Sequence, residues 1–133
     1  MLALGDTLSQ TVRVEAADVV AFATLTGDMA PHHLSDEHMV ETRYGTRIAH
    51  GLHVLGLTGG LTSAALERTG RRGVTYGYDR IRFTRAVHPG AALRLDYEVV
   101  AVDTEKDRIS GQITAFDDQG QVCLVATHLL QLQ

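Results

Sequence analysis

The sequence predicts a single α+β domain in which helices come first and an antiparallel sheet follows. The 133 residues match the usual size of one domain, 1–133, and suffice to bury a hydrophobic core without disulfides or metal ions. Hydrophobic residues make up 44% of the chain and charged residues 21%, as in ordinary globular proteins. Apolar residues recur with a helical period before Gly73 and with a period of two after it. This change of period separates the helical half from the sheet.

The helical half begins with a short strand candidate, Thr11–Val14, and a first helix, Ala16–Thr26, which is followed by a glycine suited to a left-handed cap. Pro31 restrains its own backbone and that of the residue before it. The segment Asp28–His33 is therefore predicted to be a rigid loop. Ser35 can cap a short helix after that loop.

A central helix is predicted over Gly51–Arg68, where apolar residues cover nearly every face. Three glycines, Gly56, Gly59 and Gly60, each weaken such a helix by about 1 kcal/mol, so only burial would support it. We interpret these glycines as places where strand backbones approach closely. The sheet is expected to wrap around this helix.

Four strands are predicted after Gly73, because inward apolar residues alternate with outward polar ones between turn signals. They are Val74–Val87, Ala91–Asp103, Arg108–Phe116 and Val122–Leu132. The last strand is apolar on both faces. We therefore expect it to be central in the sheet or to be covered by another chain, on a face or along its edge.

Charge and composition exclude several classes of protein. Twelve basic and sixteen acidic residues give a net charge of −4, with the acids spread along the chain, which argues against a nucleic-acid partner. The single cysteine, Cys123, lies in an apolar run and fits a reducing, cytoplasmic compartment. Met1–Gln10 lacks the features of a signal peptide, and Ile48–Leu66 makes a weak membrane span, so no membrane association is expected.

Two short runs could carry chemistry. Asp28 and His33 stand five residues apart around Pro31, and a carboxylate with an imidazole can act on one water molecule as general acid and base. Seventeen residues after His33, His50-Gly51 opens the central helix, whose free backbone N–H groups could polarise a carbonyl oxygen. The alternative is structural: Asp28 forms an Asx-turn, and the histidines of the loop are merely solvated.

Both runs resemble the signature of the MaoC-like dehydratase family, which comprises R-specific enoyl-CoA hydratases of hotdog fold. That signature is T-G-D-x-N-P-x-H-x-D followed by [FY]-G-x-x-I-[AV]-H-G. The matching residues are Thr26, Gly27, Asp28, Pro31, His33, Tyr44, Gly45, Ile48, Ala49, His50 and Gly51. The resemblance implies a hotdog domain that hydrates the α,β double bond of an acyl thioester, or reverses that reaction. It also implies no cofactor beyond the CoA or acyl-carrier arm, and a homodimer or larger assembly in which a second unit completes the site.

The resemblance assigns roles to individual residues. Asp28 and His33 would be the catalytic dyad, and the N–H of Gly51 would hold the thioester oxygen. The residues expected to contact substrate are Ala30, Pro31, His50, Gly59, Arg82 and Arg85. Of the two arginines, either could meet a CoA phosphate or simply decorate a solvated edge.

This chain departs from the family pattern at three positions. Ala30 stands where the family usually has Asn, Ser35 where it has Asp, and Gly59 where some members place a serine. Because Ala30 and Gly59 are both smaller than the family residues, we expect a roomier acyl site.

Three other functions are weighed against this one. A metal site is not expected, because Asp28 and His33 form an incomplete ligand set and no HExxH motif or cysteine pair is present. A thioesterase would need a carboxylate on or near the central helix, yet Gly51–Ala65 contains none and Glu67 lies at the far end of that helix. A non-catalytic acyl-binding or heteromeric subunit would tolerate Ala30 but gives no reason for the dyad and Gly51 to occur together.

Overall fold

The computed structural model describes all 133 residues as one antiparallel sheet with helices on one face. The strands are β1 (Thr7–Arg13), β2 (Gly73–Arg82), β3 (Ala92–Asp103), β4 (Arg108–Phe116) and β5 (Val122–Leu132), in the order β1-β3-β4-β5-β2. The helices are α1 (Ala16–Thr26), α2 (Pro31–Leu34), α3 (Asp36–Met39), α4 (Gly51–Leu57) and α5 (Gly59–Thr69). This confirms the predicted α+β class. No helix has both the length and the apolar character needed to cross a lipid bilayer.

The core lies between the inner face of the sheet and the central helices. On β4, and on β3 as far as Val99, every second residue is buried, as the period of two predicts. Leu61 and Ala65 of α5 are fully buried against this face. The strand β5 lies between β4 and β2, so its predicted central position is confirmed. Covering of its edge by another chain is excluded, because both edges already pair within this chain.

The predicted central helix exists but is broken at Thr58. This residue is fully buried, and both its N–H and its hydroxyl donate to the Leu55 carbonyl, at 3.0 and 2.6 Å. The tightened turn ends α4, and α5 begins at the next residue. The prediction that the central helix is buried on nearly every face is wrong for the single chain, since the side chain of Leu52 is exposed.

The glycines of this helix do not mark close approach of strand backbones, so that interpretation is wrong. A Cβ atom at Gly56 or Gly59 would meet no atom within 4 Å, and one at Gly60 would meet only the side chain of Gln10. The reason is orientation: the helix touches the sheet through larger residues such as Leu61, while Gly56 and Gly60 are exposed. An apolar pattern does not distinguish a glycine that faces the sheet from one that faces outward.

Several boundaries differ from the predicted ones. β2 ends at Arg82 instead of Val87, because Arg80 has a φ of 54° and the register with β5 shifts between Asp79 and Arg82. The predicted loop over Asp28–His33 contains a helical turn, since Pro31 suits the first position of a helix and begins α2. The predicted cap is confirmed: the Ser35 hydroxyl accepts from the His38 N–H at 3.2 Å.

Candidate active site

The junction between α1 and α2 positions the first predicted catalytic residue. Gly27 adopts φ 80°, a conformation that favours glycine, and its N–H donates to the Ala23 carbonyl at 2.9 Å to close α1. Asp28 follows immediately, and its Oδ1 accepts from the Ala30 N–H at 3.3 Å. The Asx-turn weighed as a structural alternative is therefore present. It uses only Oδ1, so Oδ2 remains available to face His33.

His33 is held in one orientation by the segment that precedes α4. Its Nδ1 lies 2.8 Å from the carbonyl oxygen of Ile48. Because a carbonyl only accepts, the proton is on Nδ1, and the lone pair of Nε2 faces Oδ2 of Asp28 at 3.7 Å. That distance is too long for a direct hydrogen bond and suits a bridging water that donates to both atoms. The structure thus brings the predicted pair together, with a spacing that suits one water molecule donating a hydrogen bond to each residue.

The surroundings of His33 keep it neutral. Burial lowers the pKa of His33 below its ordinary value, and the hydrogen bond to Ile48 opposes this shift without cancelling it. The nearby rings of His50 and His32 lower the pKa of His33 further, whereas Asp28 raises it. At neutral pH the imidazole is therefore a neutral base, with its proton on Nδ1 and the lone pair of Nε2 facing the carboxylate. The Asp28 side chain is half exposed, so solvent reaches the pair from its side.

Gly51 and His33 both line one cavity of the molecule. This cavity has a volume of about 300 Å³, and its walls also include Val54 and Phe83. As the first residue of α4, Gly51 has no intrahelical acceptor for its N–H. A Cβ on Gly51 would lie 2.7 Å from the Phe83 ring, so any side chain here would require this half-exposed ring to move. A carbonyl polarised by this N–H could lie in this cavity next to His33, whereas Asp28 does not line the cavity.

The two predicted arginines occupy different places. Arg85 lines both this cavity and an adjoining groove of about 830 Å³, with its Nε 3.6 Å from Oδ2 of Asp117. Arg82 lines neither and donates to the carbonyl of Ile81 at 2.7 Å. Sequence reasoning missed Arg43, which lines the groove and donates to the Tyr44 hydroxyl at 2.7 Å. Its position depends on the turn after α3, for which the sequence has no clear signal.

The remaining predicted contacts are not brought to the cavity by this chain alone. Ala30 caps α2 without a side-chain hydrogen bond, and Pro31 is exposed. Neither of them, nor Gly59, lines the cavity or the groove. The roomier acyl site expected from Ala30 and Gly59 therefore finds no support in the single chain. A side chain at Gly59 would point into open space.

His50 lies behind the dyad instead of in the cavity. Its ring is 2% exposed and does not line the cavity, so the expected substrate contact is not seen. Its Nε2 lies 2.9 Å from the main-chain oxygen of Asp28, and its ring stacks on that of His33 with centroids 3.7 Å apart. The position of His50 in the sequence does not reveal these contacts, because they cross from α4 to the loop after α1.

The donor atoms of Asp28, His33 and His50 all lie within 4.8 Å of one another, a spacing that can hold a metal ion. The ring planes of the two histidines are only 24° apart, however, so their in-plane lone pairs do not converge on one point. The Nε2 of His50 also carries the proton donated to Asp28. This geometry favours acid–base chemistry over metal binding.

Comparison with known proteins decides the family. A family model described as a MaoC like domain matches residues 4–119. The chain belongs to the MaoC-like family. The sequence resemblance is confirmed, and with it the hotdog fold: an (R)-hydratase from A. caviae superposes with a TM-score of 0.88 at 25% identity, covering 99% of this chain and 98% of that one.

Two curated MaoC-like relatives have enzymatic names. A 3-hydroxybutyryl-CoA dehydratase from Methylorubrum extorquens is 38% identical over 96 residues, which are 71% of this chain and 59% of the relative. An (R)-specific enoyl-CoA hydratase from Rhodospirillum rubrum is 28% identical over 111 residues, which are 83% of this chain and 74% of the relative. This chain thus spans about three fifths of the first relative and about three quarters of the second.

Proposed function

We propose that this chain is a hydro-lyase that adds water to the α,β double bond of an acyl thioester, or removes it from the 3-hydroxyacyl product. The observation that carries the proposal is the pair of facing acceptors, His33 Nε2 and Asp28 Oδ2, 3.7 Å apart beside a cavity that His33 and Gly51 line. Membership of the MaoC-like family and the names of its relatives support the same reaction class.

In the forward direction, water held between His33 and Asp28 attacks the β-carbon. Neutral His33 takes one proton from this water as the C–O bond forms, and the Asp28 carboxylate stabilises the resulting imidazolium. The double-bond electrons move toward the thioester carbonyl, whose oxygen accepts from the Gly51 N–H. The imidazolium then delivers its proton to the α-carbon, which restores the neutral base. Hydroxyl and hydrogen arrive from one side, so the addition is syn.

The acyl group is carried by CoA or by an acyl-carrier arm, and we propose no other cofactor and no metal. The groove next to the catalytic cavity provides a path for that arm, because both share Tyr44, Phe83 and Arg85. Arg85 is the one of the two predicted arginines that lies on this path. Its guanidinium suits a phosphate of the arm, although Asp117 competes for it.

We also propose that the chain works as a homodimer or larger homo-oligomer. β2 pairs only with β5, so its other edge has unpaired backbone groups. Val74 and Tyr76 on β2 and Leu52 on α4 are exposed apolar side chains, which a second chain would cover. Light scattering should give at least twice the 14.4 kDa of one chain. A fully active monomer would contradict a site shared between chains.

One assay separates this function from its rivals. The purified protein is incubated with crotonyl-CoA and, separately, with a saturated acyl-CoA. A hydratase removes the enone absorbance, a thioesterase releases free thiol, and a non-catalytic binding subunit does neither. The thioesterase lacks support, since Glu67, the only carboxylate of the central helix, is exposed near its far end and does not line the cavity. Thiol release without loss of enone absorbance would overturn the proposal.

A further inference from the structure

We propose that His50 is the positioning residue of the dyad: its Nε2–H holds the main chain of Asp28, and its ring supports the ring of His33. The inference rests on the proposed hydratase function. His50 itself does not line the catalytic cavity, so it acts through the two residues that it touches.

The first support is the hydrogen bond to the Asp28 loop. Within this loop the bonds made by Asp28 are long, at 3.3 Å to both the Thr26 hydroxyl and the Ala30 N–H. The bond from His50 Nε2 to the Asp28 oxygen is 2.9 Å and joins residues that are 22 apart in the sequence. It is the only hydrogen bond that ties Asp28 to α4. Without it, the carboxylate would depend on a short exposed loop for its position.

The second support is the state of the His50 ring. The Asp28 carbonyl can only accept, so the proton of a neutral His50 is on Nε2. The buried Nδ1 has no hydrogen-bond partner. A hydrogen on Nδ1 would therefore find no acceptor. The surroundings select the tautomer in which Nε2–H is aimed at the Asp28 carbonyl.

The third support is stacking. The His50 ring stacks on that of His33, with centroids 3.7 Å apart, and also packs against Phe22 of α1, with centroids 4.8 Å apart. His50 thereby contacts both members of the dyad and is itself held by α1. A displacement of this ring would shift the carboxylate and the base together, and errors of about 1 Å in such positions can cost about 100-fold in rate.

Two substitutions separate hydrogen bonding from the presence of an aromatic ring. His50→Phe keeps a stacked ring but removes the donor, and it should lower kcat for crotonyl-CoA by 10- to 100-fold with KM within about twofold. His50→Gln can still donate through Nε2 and should retain a clearly larger share of kcat. The matched control is His53→Phe, because His53 also stacks on Phe22, with centroids 5.3 Å apart, but makes no hydrogen bond to the Asp28 loop. It should stay within about twofold of wild type. Equal kcat in His50→Phe and wild type, or equal losses in the Phe and Gln variants, would overturn the proposal.

A measurement on the unmodified protein covers the case in which the variants do not fold. Nitrogen-15 NMR of the histidine side chains should show His50 as the Nε2–H tautomer and His33 as the Nδ1–H tautomer. The Nδ1–H tautomer of His50 would overturn the positioning role. Because this readout needs no substrate, a wild-type protein that hydrates no enoyl thioester would refute the proposed function separately.

Discussion

Two polar clusters in this molecule contain buried histidines, and they differ in how completely the rings are satisfied. The sheet cluster consists of Thr75, Tyr97 and His128, and the dyad cluster consists of Asp28, His33 and His50. His128 bonds through both ring nitrogens, Nδ1 to the Tyr97 hydroxyl at 3.0 Å and Nε2 to the Thr75 hydroxyl at 2.9 Å. His33 bonds through Nδ1 alone and keeps the lone pair of Nε2.

The difference separates structure from chemistry. Burial raises the pKa of Tyr97 to about 12 and lowers the pKa of His128 to about 4, so both groups are neutral at physiological pH. Both ring nitrogens of His128 are hydrogen-bonded within the sheet cluster, which links β3, β5 and β2. In the dyad cluster, an acceptor nitrogen and a carboxylate face each other next to a cavity. Residues of the first cluster should therefore control stability, and residues of the second should control rate.

The largest expected effect is on the dyad. Asp28→Asn and His33→Ala should each reduce hydration of crotonyl-CoA by more than about 100-fold, because positioned acid–base groups contribute about 10² to 10⁴. Steady-state assays give the rate, and far-UV circular dichroism should be unchanged. Full activity in either variant would remove that residue from the mechanism and favour the binding-subunit alternative.

A substitution in the sheet cluster should have the opposite profile. A methyl group on Gly111 of β4 would overlap the Tyr97 ring, which crosses this glycine on its way to His128. Gly111→Ala should lower the free energy of unfolding by about 2 kcal/mol or more, as overpacking does. Urea denaturation measures this loss, while kcat per folded molecule should stay within about twofold. A large loss of kcat in Gly111→Ala without a loss of stability would contradict the assignment of the sheet cluster to stability.

Acid should also act on the sheet cluster. The unfolded chain protonates His128 near the ordinary pKa of 6.5, whereas the folded chain does so only at a pKa of about 4. Stability from this residue is therefore fully present above about pH 6.5 and is lost as the pH falls toward 4, by up to about 3 kcal/mol. Denaturation between pH 7.5 and 4.5 should show this slope, and His128→Phe should flatten it. An unchanged slope in the variant would assign the acid sensitivity to other groups.

The smallest effect is expected at Ala30. An asparagine at this helix-capping position should add about 1 kcal/mol of stability, because its side chain can accept an N–H of α2. Since Ala30 does not line the cavity, Ala30→Asn should change crotonyl-CoA turnover by less than about threefold. Thermal denaturation and the enone assay test both statements. A large loss on branched enoyl-CoAs alone would restore the idea that the small residue makes room for substrate.

Features determined by neighbouring residues were predictable from the sequence. The end of α1 at Gly27, the Ser35 cap and the bounds of β4 and β5 follow from local patterns, and the structure confirms them. The proximity of Asp28 and His33 belongs to this group, because five residues of a stiff loop limit their separation.

Features that depend on distant residues were not predictable. The sequence does not show that Tyr97 crosses Gly111 to reach His128, or that the Phe83 ring lies against Gly51. The break at Thr58 depends on its buried hydroxyl, which donates a hydrogen bond to the Leu55 carbonyl. The apolar periodicity of the sequence does not predict this bond. The resemblance implies a substrate contact for His50, whereas the structure places it against Asp28 and His33. These contacts join different elements of the fold, so the sequence does not reveal them.

The central claim is that one pair, Asp28 and His33, delivers both the hydroxyl and the α-proton from the same side of the substrate. Hydration of crotonyl-CoA in heavy water tests it, with proton NMR of the 3-hydroxybutyryl product. The account predicts one deuterium at the α-carbon, syn to the new hydroxyl. An anti product, or a mixture of the two configurations, would show that different groups supply the two additions and would contradict the account.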